Sequence, residues 1–158
     1  VPDQKPPRLE GSERETLRAL LQYQRDSLVR KVSGVDEEAA RRSPVGSGTT
    51  LLWLVKHMSV AETRWVVRRF AGQRVDLPSD AVGPDDTLAT AVDRYRHTWE
   101  RVDAVVAAAP SLEETCRELG GEAPVNLRWV LMHLLEETAR HAGHADILRE
   151  LADGQVGR

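Results

Sequence analysis

The sequence predicts an all-α protein, a four-helix bundle, on three observations. Four long segments carry apolar residues at helical spacing. Strand-like alternation of useful length is missing, and the linkers between segments are long enough to cross a bundle.

The first helix is expected from about Ser12 to Val32. It follows a Pro-rich leader over residues 1–11, "VPDQKPPRLEG", expected to be extended and partly mobile. "SERE" (Ser12 to Glu15) reads as a capping box, a serine answered three residues later by a glutamate. Within the linker that follows, about Ser33 to Gly48, "DEEAARR" can add a short helical turn. The second helix runs from about Thr50 to Ala71, opened by a threonine and closed by Gly72. The third covers about Asp86 to Ala109 and stops before Pro110. The fourth runs from about Asn126 to Ala152, with Asn126 as N-cap and Gly154 past its end. Residues 12–154 therefore read as one helical domain, with 155–158 as a tail.

Between the second and third helices lies "GQRVDLPSDAVGPD". A 20-residue helix is about 30 Å long and extended chain covers about 3.3 Å per residue. This linker can therefore return along the whole bundle and let the two helices run parallel. An alternating up-down-up-down order stays equally open at this level.

Composition narrows the function classes. A chain of 158 residues with 41% hydrophobic and 30% charged residues can bury a real core and fits a globular protein. The net charge of −3 comes from interspersed acids and bases, so neither nucleic acid nor a membrane surface is expected as a partner. No window resembles a signal core or a spanning helix, which gives a cytoplasmic expectation. Cys116 is the only cysteine, which rules out an internal disulfide and a thiolate cluster for structural zinc. Three lysines stand against 19 arginines, a bias that reflects a GC-rich bacterial genome rather than a function.

The chemistry is concentrated in "LMHLLEETARHAGHAD", Leu131 to Asp146. At about 100° per residue with His133 as zero, Glu137 falls at about 40°, His141 at about 80°, His144 at about 20° and Glu136 at about 300°. Val130, Leu134, Ala145 and Leu148 fall between about 60° and 120°. His141 is thus central to the buried stripe, Glu137 lies inside it, His133 and His144 lie at its edge, and Glu136 faces solvent. A buried carboxylate and imidazole need compensation, from a mutual hydrogen bond or from a cation. Four residues apart, Glu137 and His141 are neighbours able to ligate one ion. His57 occupies an apolar arc of the second helix among Trp53, Leu54, Val60 and Ala61, and would supply a third ligand. His97 lies on a helix rich in exposed charge and is set aside. A metal-free network, with Glu137 hydrogen-bonded to the histidines, fits the same pattern.

At these residues the chain resembles the DinB-like four-helix metalloproteins, and within them the branch grouped with mycothiol-dependent maleylpyruvate isomerases and thiol transferases. The resemblance rests on "PRLEGSERETLRALLQYQR", "TTLLWLVKHMSVAETRWVVRRFAG" and "LRWVLMHLLEETARHAGHADILRELADG", and spans nearly the whole chain. It implies an up-down-down-up bundle with a long crossover between the second and third helices. It also implies a divalent metal held by His57, Glu137 and His141. His144 and His133 are assigned to the support of these ligands, with direct ligation by His144 as the alternative. Zinc or nickel is the expected ion, and two histidines with one carboxylate also suit iron. The activity implied is transfer or isomerisation using a small thiol, mycothiol, on an electrophilic substrate. A homodimer is compatible with the resemblance, although no residue marks an interface. Two other readings use the same residues, a metal-dependent hydrolase and a non-enzymatic bundle that binds metal or a small ligand.

Arg64 and Arg68 fall within about 20° of His57 on the wheel. They read either as solvated helix-end arginines or as receptors for the carboxylate of an acidic substrate or thiol cofactor. The four tryptophans read as packing residues, with Trp53 or Trp65 able to wall a pocket. Cys116 has no neighbouring base in the sequence and is not read as a nucleophile. Arg25 faces the bundle, toward a partner the sequence does not name.

Overall fold

The computed structural model describes residues 4–118, 120–121 and 123–156. The elements are α1 (Glu13–Val32), the short α2 (Glu37–Arg41), α3 (Leu51–Glu62) running directly into a π-helical segment (Thr63–Phe70), α4 (Leu88–Ala108) and α5 (Leu127–Asp153). The expected all-α class holds among the described residues. Val1–Asp3 of the leader, residues 119 and 122 of the last linker, and residues 157–158 of the tail lie outside them.

The ends of the helices are set by the residues the sequence singles out. Ser12 and Glu15 form the capping box of α1, with the Glu15 carboxylate accepting the Ser12 amide at 2.8 Å. Asp36 caps α2, Thr50 caps α3 and Asn126 caps α5, each accepting backbone amides of the first turn. Thr87 does the same for α4, one residue into the expected range. Gly154 adopts φ +75°, the left-handed geometry that lets α5 stop.

Cross-helix pairs give the directions. Arg128 at the start of α5 bridges to Glu13 at the start of α1. At the other end Lys31 pairs with Asp146, and the buried Arg149 donates to the Lys31 and Ser33 carbonyls at 2.9 and 2.8 Å. Hence α1 and α5 run the same way, with Arg149 satisfying carbonyls that the end of α1 leaves open. Arg14 plays the equivalent part for α4, donating to the Ala109 carbonyl at 2.6 Å, which sets α4 antiparallel to α1. Tyr95 of α4 meets Glu62 of α3, and Arg101 meets Gln73 just beyond the π segment, so α3 and α4 are parallel. The order is up-down-down-up, with residues 72–86 as the crossover.

The core has two apolar clusters. One gathers Leu28, Leu52, Leu54, Met58, Ala145 and Leu148; the other gathers Leu21, Val66, Val67, Val102, Val130 and Leu134. Between them lies a buried polar knot. Arg25 of α1 and Glu62 of α3, both essentially inaccessible, form a two-pronged ion pair at 3.0 and 2.5 Å. Tyr95 donates to Glu62 at 2.9 Å, and Arg25 also reaches Asp103 and Gln22. This supplies the partner of Arg25. Burial and the Glu62 charge beside it push the Tyr95 phenol well above its ordinary pKa. By tying three helices together, the knot fixes the rotation of α3, and with it the direction in which His57 points.

The second helix differs from expectation after Glu62. Thr63 turns its hydroxyl back onto the Ser59 carbonyl at 2.7 Å and shares its own amide between Ser59 and Val60. The ladder then relaxes, and the Ala71 amide bonds the Val66 carbonyl five residues back. The loop before α5 closes this end, with the Arg117 and Glu118 amides on the Arg69 carbonyl at 3.0 and 2.9 Å.

Candidate metal centre

Helices α3 and α5 pack antiparallel, and their seam carries the polar residues of interest. Among the described residues, one group could hold a metal ion. His57, Glu137 and His141 each present a ligand atom, and these atoms lie within 4.8 Å of one another. The local sequence explains the convergence. Leu54, Val55, Met58 and Ala61 bury one side of α3, while Leu134, Ala145 and Leu148 bury one side of α5. The three donors sit at the margin where those faces meet. His141 is buried, and His57 and Glu137 are half-buried.

Each donor is oriented by a neighbour. The His57 ring stacks on Trp53 from the preceding turn, with centroids 4.6 Å apart and planes 18° apart. Its Nδ1 lies 3.1 Å from Asp80 Oδ2. A carboxylate only accepts, so Nδ1 donates in this contact, and Nε2 is the ring nitrogen left for another partner. Glu137 gives Oε1 to Arg140 at 2.9 Å, which leaves Oε2 toward His141. His141 and His144 share a hydrogen bond between their Nδ1 atoms at 3.3 Å. Burial, then the nearby His57, lowers the His141 pKa to about 4, so at neutral pH the ring offers a lone pair instead of a charge.

The donor set fits a divalent cation. His141 Nε2 and Glu137 Oε2 are 3.4 Å apart, longer than a good hydrogen bond. The His57 and His141 rings meet edge-on at 5.1 Å. Two imidazole nitrogens and one carboxylate oxygen, converging without satisfying one another, form a three-donor set that leaves further coordination positions open.

A family model for mycothiol-S-transferases matches residues 16–154. The chain belongs to the mycothiol-S-transferase family. A comparison with curated proteins gives no match. The family match runs from within α1 through α5, and therefore includes both helices that carry the three donors.

The remaining sequence-derived candidates are placed as follows. His144 touches His141 as described. His133 is stacked on Trp129 at 4.9 Å and meets Trp65 edge-on at 4.8 Å, one turn along the seam. Glu136 is exposed and pairs with Arg140. Arg64 is exposed, and Arg68 pairs with Glu118 at 3.3 Å. A π segment turns less per residue than an α-helix, so the α-helical wheel sets Arg68 too close to the His57 face. Asp80 is the residue sequence reasoning missed. It sits in the crossover, outside any helical period, and its only local signal is an acidic residue in a Pro- and Gly-bearing linker.

Proposed function

We propose that this chain is a divalent-metal-dependent transferase that joins the sulfur of mycothiol to a small electrophile. The single observation that carries this is the convergence of His57, Glu137 and His141 on the α3–α5 seam in a chain of the mycothiol-S-transferase family. His57 and His141 would hold the ion through Nε2, and Glu137 through Oε2. Zinc or nickel suits this set best, with iron compatible. A cation bound there supplies a Lewis acid that favours the thiolate over the thiol of a cosubstrate reaching an open position.

The chain's own residues do the rest. Trp53 holds the His57 ring flat and walls one side of the centre. Arg140 occupies the outer oxygen of Glu137, so that carboxylate faces the centre through one oxygen. His144 and His133 are assigned to support, the first through its hydrogen bond to His141 and the second through the stack with Trp129 that lines the next turn. Arg64, exposed on the turn after Glu62, is assigned to the anionic part of the substrate or thiol. Arg68, engaged by Glu118, is a weaker candidate for that role. The thiol proton passes to solvent and the sulfur forms the new C–S bond: a halide leaves with its electron pair, an epoxide's ring C–O bond opens to an alkoxide that takes up a proton, or an enone's π pair shifts toward its carbonyl and is protonated.

The test is to purify the protein without chelator, measure bound metal, and follow loss of mycothiol thiol against alkyl halides, epoxides and enones. One ion per chain and metal-dependent consumption with at least one electrophile class are expected. No stoichiometric metal, even after reconstitution, overturns the proposal. Tight metal uptake with no conjugation of any electrophile shifts the assignment to a metal-binding bundle.

A further inference from the structure

The crossover of residues 72–86 does more than connect α3 to α4. Lys56, buried one residue before His57, donates to the Ala81 carbonyl and to the Asp86 carboxylate. Asp86 accepts the Gly83 amide at 2.7 Å, which closes the loop on itself. Arg41 of α2 grips the same stretch from outside through the carbonyls of Gly83 and Pro84, at 3.0 and 2.9 Å, and that of Asp86. Residues 81–86 of the crossover are thus pinned from two elements. The residue immediately before the Lys56 anchor point is Asp80, whose Oδ2 meets His57 Nδ1 at 3.1 Å.

We propose that Asp80 is a positioning residue for the metal centre, with Lys56 as the latch that holds it there. The inference rests on the metal-centre reading above. Asp80 occupies the Nδ1 side of the His57 ring, which leaves Nε2 as the nitrogen the proposed centre would use, and Asp80 is not one of the three convergent donors. It therefore acts through His57 and not on the ion. By accepting the Nδ1 proton, the carboxylate selects the tautomer with the lone pair on Nε2. It also makes that nitrogen a stronger donor, and loss of such a partner typically weakens metal affinity by about 10–100-fold. The stack of His57 on Trp53 favours the ring plane in which Nδ1 meets Asp80. The specificity of the arrangement comes from the crossover, because α3 itself carries no acid that could reach Nδ1 from the required side.

The experiment compares wild type, D80N, D80A and K56M. Zinc affinity is measured by competition with a chromophoric chelator. The His57 tautomer is read by long-range ¹H–¹⁵N NMR on apoprotein at about pH 8, above the ordinary histidine range. Wild-type apoprotein is expected to hold the Nδ1–H tautomer. D80A is expected to keep one zinc per chain with affinity lower by about 10–100-fold, and to shift His57 toward Nε2–H. D80N, which preserves shape and an acceptor oxygen but not the charge, should fall between them; it carries the same test if D80A fails to fold. K56M should weaken zinc in the same direction with Asp80 and His57 intact. If wild type binds one zinc and D80A and D80N bind it equally tightly with an unshifted tautomer, the role of Asp80 is overturned while the centre stands. If wild type binds none, the centre itself falls, and Asp80's role with it. A K56M protein with wild-type affinity overturns the latch.

Discussion

Replacing Glu62 by alanine should be among the most damaging single changes in the protein. Glu62 is inaccessible and neutralises a guanidinium, Arg25, that is only 1% exposed. The variant leaves that cation deep in the bundle and deprives the Tyr95 hydroxyl of its acceptor. Removing one partner of a buried pair costs about 3–5 kcal/mol. Asp103, itself 39% exposed, still accepts from Arg25 at 3.0 Å, which places the expected loss near the lower end, about 3 kcal/mol. For a chain of this size each kcal/mol is worth about 2–4 °C, so Tm should fall by about 6–12 °C. Urea denaturation followed by circular dichroism, with thermal scans in parallel, measures both. The combined variant R25M/E62L/Y95F removes these three buried polar groups together, and should recover most of the loss because no buried charge is left unpaired and Asp103 faces solvent. A loss below about 1 kcal/mol for E62A, or a triple variant no better than E62A, would refute the account of the knot as a mutually compensating unit.

Further outcomes follow from other parts of the structure. Alanine at His57, Glu137 or His141 should each abolish stoichiometric metal by elemental analysis while leaving the helical circular dichroism signal in place. Asp86 has its pKa lowered, first by the Lys56 hydrogen bond and then by the Gly83 amide. Its ionised form therefore contributes stability above the unfolded pKa, and that contribution is lost as pH falls through the lower folded value. Wild type should accordingly exceed D86N in stability near neutral pH, with the gap closing in acid titrations below about pH 4. Cys116 is buried and burial raises its thiol pKa, so a disulfide reagent should label it slowly in native protein and rapidly in denaturant. Asn126→Ala removes the acceptor for the Trp129 amide and should cost about 1 kcal/mol in urea melts.

Much of the fold was legible because its signals are local. The capping box at Ser12, the threonine at position 50, Asn126 and Gly154 act on backbone groups three or four residues away. Their effect can be read without knowing what packs against the helix. The apolar period of α5 likewise placed His141 inside, and His141 is buried. The π segment was not legible, since no residue type in "TRWVVRRF" marks it and its far end meets the distant loop before α5, whose Arg117 and Glu118 amides bond the Arg69 carbonyl. Arg68 lies within that segment, so a regular helical period does not give its direction.

Residue types and spacing alone determined that the chain is helical, that Glu137 and His141 share one face, and that His57 lies on an apolar arc of another helix. Those are properties of single helices, governed by a repeat of about 3.6 residues. Only the tertiary structure decided that the three donors meet, because their meeting depends on the antiparallel seam of α3 and α5 and on the rotation that Arg25 and Glu62 impose on α3. It also decided that Asp80 stands behind His57. That contact joins a helix to a residue 23 positions later in an aperiodic crossover, where the path of the chain is set by Lys56 and Arg41 and by no repeat the sequence carries.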